Sequence, residues 1–252
     1  MEIRELDWRY DKEILDLLAP YEKNFICEEL SRPLSYYTSR VDAVGFKEKN
    51  DVLDVACGIG QWTIALARGN KQAVGIDISS TRLMVAKHLA ENMGINNITL
   101  RWADMNKLPF EDNSFDAIFC YGALMFGNIP KTLREFARVL RPCGRLYTNA
   151  NGYGWYIHLL VGRAYPERNI RLAMNTVNMI ARLFLCKQGK IPLSRRRIKR
   201  WLWDAGFTII HMGTDGSYAT EFHRQSPIYP PKHYGFSGVI EILAKLERND
   251  DA

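Results

Sequence analysis

Three aspartates and two glycines carry the most specific chemistry in the chain. Asp54 sits in Val52-Leu53-Asp54-Val55-Ala56, an apolar run closed by Cys57-Gly58-Ile59-Gly60. Asp77 ends the run Ala73-Val74-Gly75-Ile76, and Asp104 follows the alternating stretch Ile98–Trp102. Glycine directly after a strand lets the backbone approach a ligand without a side-chain clash, although tight turns use glycine equally. A carboxylate at the tip of a second strand can accept from both ribose hydroxyls, as in dinucleotide folds. One after the third strand can accept from an adenine amino group, with Met105 offering a backbone N–H and an apolar surface. Asp54 faces the end of such a ligand where a cationic amine is welcome. Each aspartate alone could cap a helix or sit in a solvated loop. Three at consecutive strand ends are poorly explained that way.

The acids need a frame. Residues 51–56, 73–77, 98–102, 115–120 and 145–149 read as short apolar strands, with helices at 62–68, 81–93 and 131–140 between them. This alternation predicts an α/β fold: a doubly wound, Rossmann-like, mostly parallel sheet with helices on both faces and ligands beyond the carboxyl ends of the strands. Ahead of it, residues 13–18, 21–30 and 35–44 have helical spacing, punctuated by Pro20 and Pro33. From 152 to 192 the rhythm stops and the chain turns aromatic, then helical. It returns with a helix at 194–205 and strands at 207–212 and 239–246. The expected organisation is one domain in four parts: an N-terminal helical cap (1–50), a cofactor-binding core (51–151), a helical insertion after strand 5 (152–193) and the end of the sheet (194–252).

Several of these segments together resemble one family. Leu53-Asp54-x-x-Cys57-Gly58-x-Gly60 is similar to the first motif of class I S-adenosylmethionine-dependent methyltransferases. Val74-Gly75-Ile76-Asp77-Ile78-Ser79 is similar to their second, acidic motif. Ala103-Asp104-Met105 with Leu108-Pro109-Phe110, and the run from Arg134 to Leu146, resemble the later motifs; the type 11 group is the nearest. The resemblance implies S-adenosylmethionine as cofactor and a seven-stranded sheet whose last strand is antiparallel. It further implies that Asp54, Ala56, Gly58 and Gly60 form the methionine end of the site. Asp77 would meet the ribose, Ile78 and Met105 the adenine faces, Asp104 the adenine amino group, and Tyr121 the sulfonium. Two residues depart from the pattern: Ala56 and Cys143 stand where glycine is usual. A nicotinamide-dinucleotide reading fits less well. The third glycine of its loop would fall on Thr63, and Asp54 would lie against a pyrophosphate, a like-charge contact.

The expected reaction is methyl transfer to a small or medium-sized acceptor with an O, N or C nucleophile. His158, His223, His233 and Tyr121 are candidates for a base, and none is singled out. Tyr36 and Tyr37 could close the cofactor pocket by cation–π attraction. Trp155, Tyr156, His158, Met174, Met179 and Phe184 could line an apolar lid, whose deletion would abolish turnover and spare cofactor affinity. Lys187, Lys190, Arg195, Arg196, Arg197, Lys199 and Arg200 form the densest basic cluster, either a solvated face or a dock for an anionic acceptor. The net charge of +6 permits acidic partners without requiring one. Five dispersed cysteines with no C-x-x-C pair argue against a disulfide framework or zinc site and fit a reducing compartment, so the cytoplasm is expected. No apolar run is long enough to span a membrane, no metal is expected, and a homodimer stays open. Two alternatives remain: a nucleic-acid methyltransferase and a non-catalytic cofactor-binding scaffold. Cys120-Tyr121-Gly122-Ala123 stands where enzymes that methylate base amino groups have Asn/Asp-Pro-Pro-aromatic, which counts against the first.

Overall fold

The computed structural model describes residues 30–184, 194–218, 232–233 and 235–247, with residues 8, 12–16, 18–19, 23 and 26–27 nearer the N-terminus. A helical turn at Lys12–Leu15 and helix α1 (Leu34–Ala43) precede the sheet. The expected helices at 13–18 and 21–30 lie partly outside the described residues.

The sheet then builds by strict alternation: β1 (Asp51–Val55), α2 (Gln61–Gly69), β2 (Gln72–Asp77), α3 (Ser80–Asn92), β3 (Ile98–Trp102), β4 (Phe115–Cys120), α4 (Ile129–Val139) and β5 (Leu140–Asn151). Side-chain caps set the helix starts. Ser79 Oγ accepts from Arg82 N–H at 3.3 Å, and Asn128 Oδ1 accepts from Lys131 N–H with Pro130 in the first turn. After β5 come α5 (Tyr153–Ile157), a π-helical stretch at His158–Ala164 and α6 (Ile170–Phe184). These are the predicted helical insertion. The chain returns through α7 (Arg195–Asp204), β6 (Phe207–Thr214), the hairpin strands β7 (Lys232–His233) and β8 (Phe236–Ser237), and β9 (Val239–Leu246).

The seven-stranded sheet has the order β3-β2-β1-β4-β5-β9-β6. Its pairs are parallel except that β9 runs antiparallel to both β5 and β6. β5 begins earlier than the sequence suggests. Leu140 already pairs with Phe115, and a bulge absorbs the Pro142-Cys143-Gly144 turn before Ala117 meets Arg145. Each face of the sheet carries its own core. Leu53, Val55 and Ile118 pack on α4 and α7 through Leu133, Phe136, Ile198 and Leu202. Val52, Ala117 and Phe119 pack on α1, α2 and α3 through Tyr37, Trp62 and Leu89. Central strands buried on both faces explain why β1 and β4 read as continuous apolar runs.

Candidate functional site

The loop after β1 is built from left-handed backbone: Ala56 at φ 57°, Gly58 at 57° and Gly60 at 83°. The two glycines serve different purposes. A Cβ at Gly60 would come within 2.9 Å of Ala86 Cβ in α3, so that glycine lets the loop pack on the helix. A Cβ at Gly58 would meet nothing within 4 Å, so there the backbone faces open space. Gly58 N–H donates to Asp77 Oδ2 at 3.0 Å, and Ser79 N–H donates to Asp77 Oδ1 at 2.8 Å. The tip of β2 thereby holds the loop. A carboxylate offers about four acceptor sites, so roughly two remain for a ligand diol.

Asp54 lies deeper than the other two acids. It is buried between β1 and α2, and Thr63 Oγ1 donates to its Oδ2 at 2.6 Å. Burial pushes its pKa up to about 7, against the Thr63 hydrogen bond and with help from the neighbouring Asp77 charge. Gln61, the first residue of α2, is also buried, and its Oε1 has no hydrogen-bond partner. A buried carbonyl left without a donor is costly, and this one stands directly after the open glycine loop.

Asp104 belongs to the same edge. Asp77 pairs with Trp102 and accepts at its backbone carbonyl from Ala103 N–H at 3.1 Å, so Asp104 lies one step past the tip of β2. Its Oδ1 accepts from both the backbone N–H and the side-chain amide of Asn106, at 2.8 and 2.7 Å. Ile78 is exposed, and Trp102 Nε1 donates to the Ile78 carbonyl at 2.8 Å. The two form an apolar ledge beside Asp104, and Met105 is half-buried beneath Gly127.

Tyr121, just past β4, is tied into a buried polar network. Its ring stacks parallel to Tyr147 and lies 5.1 Å from Trp62. Its hydroxyl donates to Asp215 Oδ1 at 2.7 Å, and Arg40 donates to the same oxygen at 2.7 Å. Burial opposes the charge on Arg40, but Tyr121, Tyr147, Asp215 and Tyr36 outweigh it and hold its proton more tightly than usual. Tyr147 donates to Glu241, which also accepts from Tyr218 N–H at 3.0 Å. Tyr37 is buried against Trp8, Tyr36 and Trp62, so it is a packing residue. Beside this network Asn149, buried at the end of β5, accepts from Gly122 N–H at 2.6 Å through Oδ1. That bond fixes the amide orientation and leaves Nδ2 buried without an acceptor.

The insertion and strand β7 together supply the last group. His158 and His233 stack with ring centroids 4.3 Å apart, and Trp155 stands beside both. Burial, and then His158, lower the His233 pKa below its ordinary value, and its Nε2 is covered and has no partner. Tyr156 is buried, whereas Met174 is exposed and turned away from any lid interior. His223, Lys187 and Lys190 lie outside the described residues, as do the side chains of Met179 and Phe184. In the basic cluster, Arg195, Arg196, Lys199 and Arg200 are exposed, and Arg197 lies over the Trp201 ring.

With this geometry established, comparison with known proteins gives a consistent picture. The methyltransferase-domain family matches residues 52–144. Residues 52–144, from β1 to the turn inside β5, are thus similar to a methyltransferase domain. An uncharacterized methyltransferase of Bacillus subtilis, YcgJ, is 34% identical over 100 residues, 39% of this chain and 40% of that one. A demethylmenaquinone methyltransferase of Staphylococcus aureus is 40% identical over 109 residues, 40% of this chain and 43% of its own. The match thus spans about two fifths of these relatives' length. The solved structure of a SAM-dependent methyltransferase from Aquifex aeolicus superposes with a TM-score of 0.56 at 18% identity, covering 94% of this chain and 100% of that one. At that identity the likeness concerns the fold. The site and the polar network beside it also hold residues that the motifs do not flag: Gln61, Thr63, Trp102, Asn149, Arg40, Asp215 and Glu241. One signal was available for Glu241, a lone acid inside the otherwise apolar Val239-Ile240-x-Ile242-Leu243.

Proposed function

We propose that the protein is an S-adenosylmethionine-dependent methyltransferase acting on a small or medium-sized acceptor. The observation that carries this reading is the grouping of open backbone at Gly58, the orphaned Gln61 side-chain carbonyl and the spare acceptor capacity of Asp77 around the loop after β1. In this reading Gly58, Gln61 and, behind them, Asp54 hold the methionine end of the cofactor. Asp77 takes the ribose, Ile78 with Met105 the adenine faces, and Asp104 the amino group through Oδ2. The bound cofactor supplies a methyl group on a cationic sulfur with an intrinsically good leaving group.

The chain's own residues then align a nucleophile beyond the ends of β4 and β5 and exclude water, which is worth roughly 7–11 kcal/mol. Tyr121 presents its ring there but not a basic oxygen, because its hydroxyl proton is committed to Asp215. If the acceptor is a hydroxyl, the His158–His233 pair is the better base, worth roughly 10²–10⁴-fold. The reading goes with one cytoplasmic domain in four parts.

Calorimetry tests it directly. Folded protein should take up S-adenosylmethionine, and Asp77→Ala should raise Kd at least tenfold without unfolding the chain, since hydrogen bonds to a charged group are worth about 1.5–3 kcal/mol. Uptake of a pyridine dinucleotide in its place would overturn the assignment. Labelled methyl transfer to small-molecule pools, and neither to nucleic acid nor to nothing, separates this reading from the nucleic-acid enzyme and the scaffold.

A further inference from the structure

The insertion after β5 carries a surface that the cofactor site does not use. Among the described residues, five of the thirteen exposed large apolar side chains fall between 161 and 177: Val161, Tyr165, Ile170, Met174 and Val177. Ile170, Met174 and Val177 are 74, 62 and 51% exposed, and Tyr165 is 83% exposed. In α6 the first three stand at i, i+4 and i+7, one face of the helix, while Thr176 is buried and Leu172 and Ala173 are half-buried. Between α6 and the π-helical stretch runs an open groove of about 830 Å³, lined by Leu160, Ala164, Tyr165, Ile170 and Ala173, with Arg168 at its edge. A continuous apolar surface of this kind marks an interaction site.

Charge identifies the partner. The insertion, residues 152–193, contains six Lys and Arg against the single Glu167, a formal +5; because the whole chain is +6, the remainder is only +1. The positive charge of this protein is therefore concentrated in the segment that bears the exposed apolar face. Arg168 and Arg171 are exposed beside that face. An exposed apolar stripe flanked by arginines, with a tyrosine at its margin, is suited to the boundary between lipid headgroups and acyl chains. A self-associating face gains nothing from such an excess of like charge. We infer that the α5–α6 insertion docks on anionic membrane surfaces, with Tyr165, Ile170, Met174 and Val177 entering the interface and Arg168 and Arg171 meeting the headgroups.

The inference does not depend on the methyltransferase reading, and vesicle sedimentation of the full chain tests it separately. The protein should sediment with vesicles containing phosphatidylglycerol and not with pure phosphatidylcholine, and added salt should release it. R168E/R171E should weaken partitioning at least tenfold, since each basic residue near an anionic surface contributes about fivefold. I170D/M174D/V177D should weaken it by a similar factor, while uptake of S-adenosylmethionine by both variants, followed by calorimetry, stays within twofold of the parent. All these substitutions are at exposed positions, so circular dichroism should be unchanged. Failure to sediment with anionic vesicles would overturn the inference. So would sedimentation indifferent to both variants, or a dimer in analytical ultracentrifugation that I170D/M174D/V177D dissociates.

Discussion

Ala56 and Cys143, the two departures from the motifs that the sequence resembles, both have left-handed backbone, at φ 57° and 63°. A side chain in that region costs about 1–2 kcal/mol, part of which glycine gives back through its greater freedom in the unfolded chain. Ala56→Gly and Cys143→Gly should each stabilise the protein by about 0.5–1 kcal/mol, read as a higher urea midpoint at unchanged slope. Asn149 supports a second prediction at this scale. Asn149→Asp keeps the acceptor for Gly122 N–H but loses the orphaned Nδ2 donor. If that donor meets the acceptor molecule, kcat/KM should fall about 10–100-fold with cofactor affinity unchanged, as expected for one buried hydrogen bond. Residues of these two kinds differ in how they could be read. The places of Gly58, Asp77 and Asp104 at or just past strand ends were legible, because each closes or follows an apolar run. Gln61 and Asn149 were not. An orphaned amide is a property of the burial around it, and no spacing along the chain encodes that.

The strands and helices were legible because each obeys a local rule. An apolar run closed by glycine gave β1 and one closed by Asp77 gave β2, and serine and asparagine caps opened α3 and α4. What local rules miss is how distant elements are tied together. Arg40 in α1 reaches Asp215, just past β6, at 2.7 Å with both side chains almost fully buried. The pair clamps the N-terminal helix onto the far edge of the sheet and holds Tyr121 between them. Removing one partner of a buried ion pair leaves the other uncompensated and costs about 3–5 kcal/mol, whereas removing both is often nearly neutral. Arg40→Met should therefore be strongly destabilising in urea unfolding, and Arg40→Met combined with Asp215→Leu should recover most of the loss. If the double variant is merely the sum of the two singles, the pair is not coupled and the clamp is not its role.

At the scale of the whole molecule, two titrating groups give stability opposite slopes with pH. Asp54 titrates near 3.8 when unfolded and at about 7 when folded. Between those values the folded state keeps a proton that the unfolded state has released, so stability falls as pH rises through this range. The gap corresponds to roughly 4 kcal/mol. His233 acts in the other direction. Its folded pKa lies below the ordinary 6.5, so at mildly acidic pH the unfolded chain binds the proton first and stability falls as pH falls. Asp54→Asn should therefore remove the decline toward pH 7 while leaving the loss on the acid side that comes from His233. His233→Phe should soften the acid limb and leave the other unchanged. A cationic amine brought beside Asp54 would ionise it and lower its folded pKa. Saturating S-adenosylmethionine should therefore raise the Tm more at pH 8 than at pH 5, and Asp54→Asn should erase that difference. Equal stabilisation of the parent protein at both pH values would separate Asp54 from the ligand altogether.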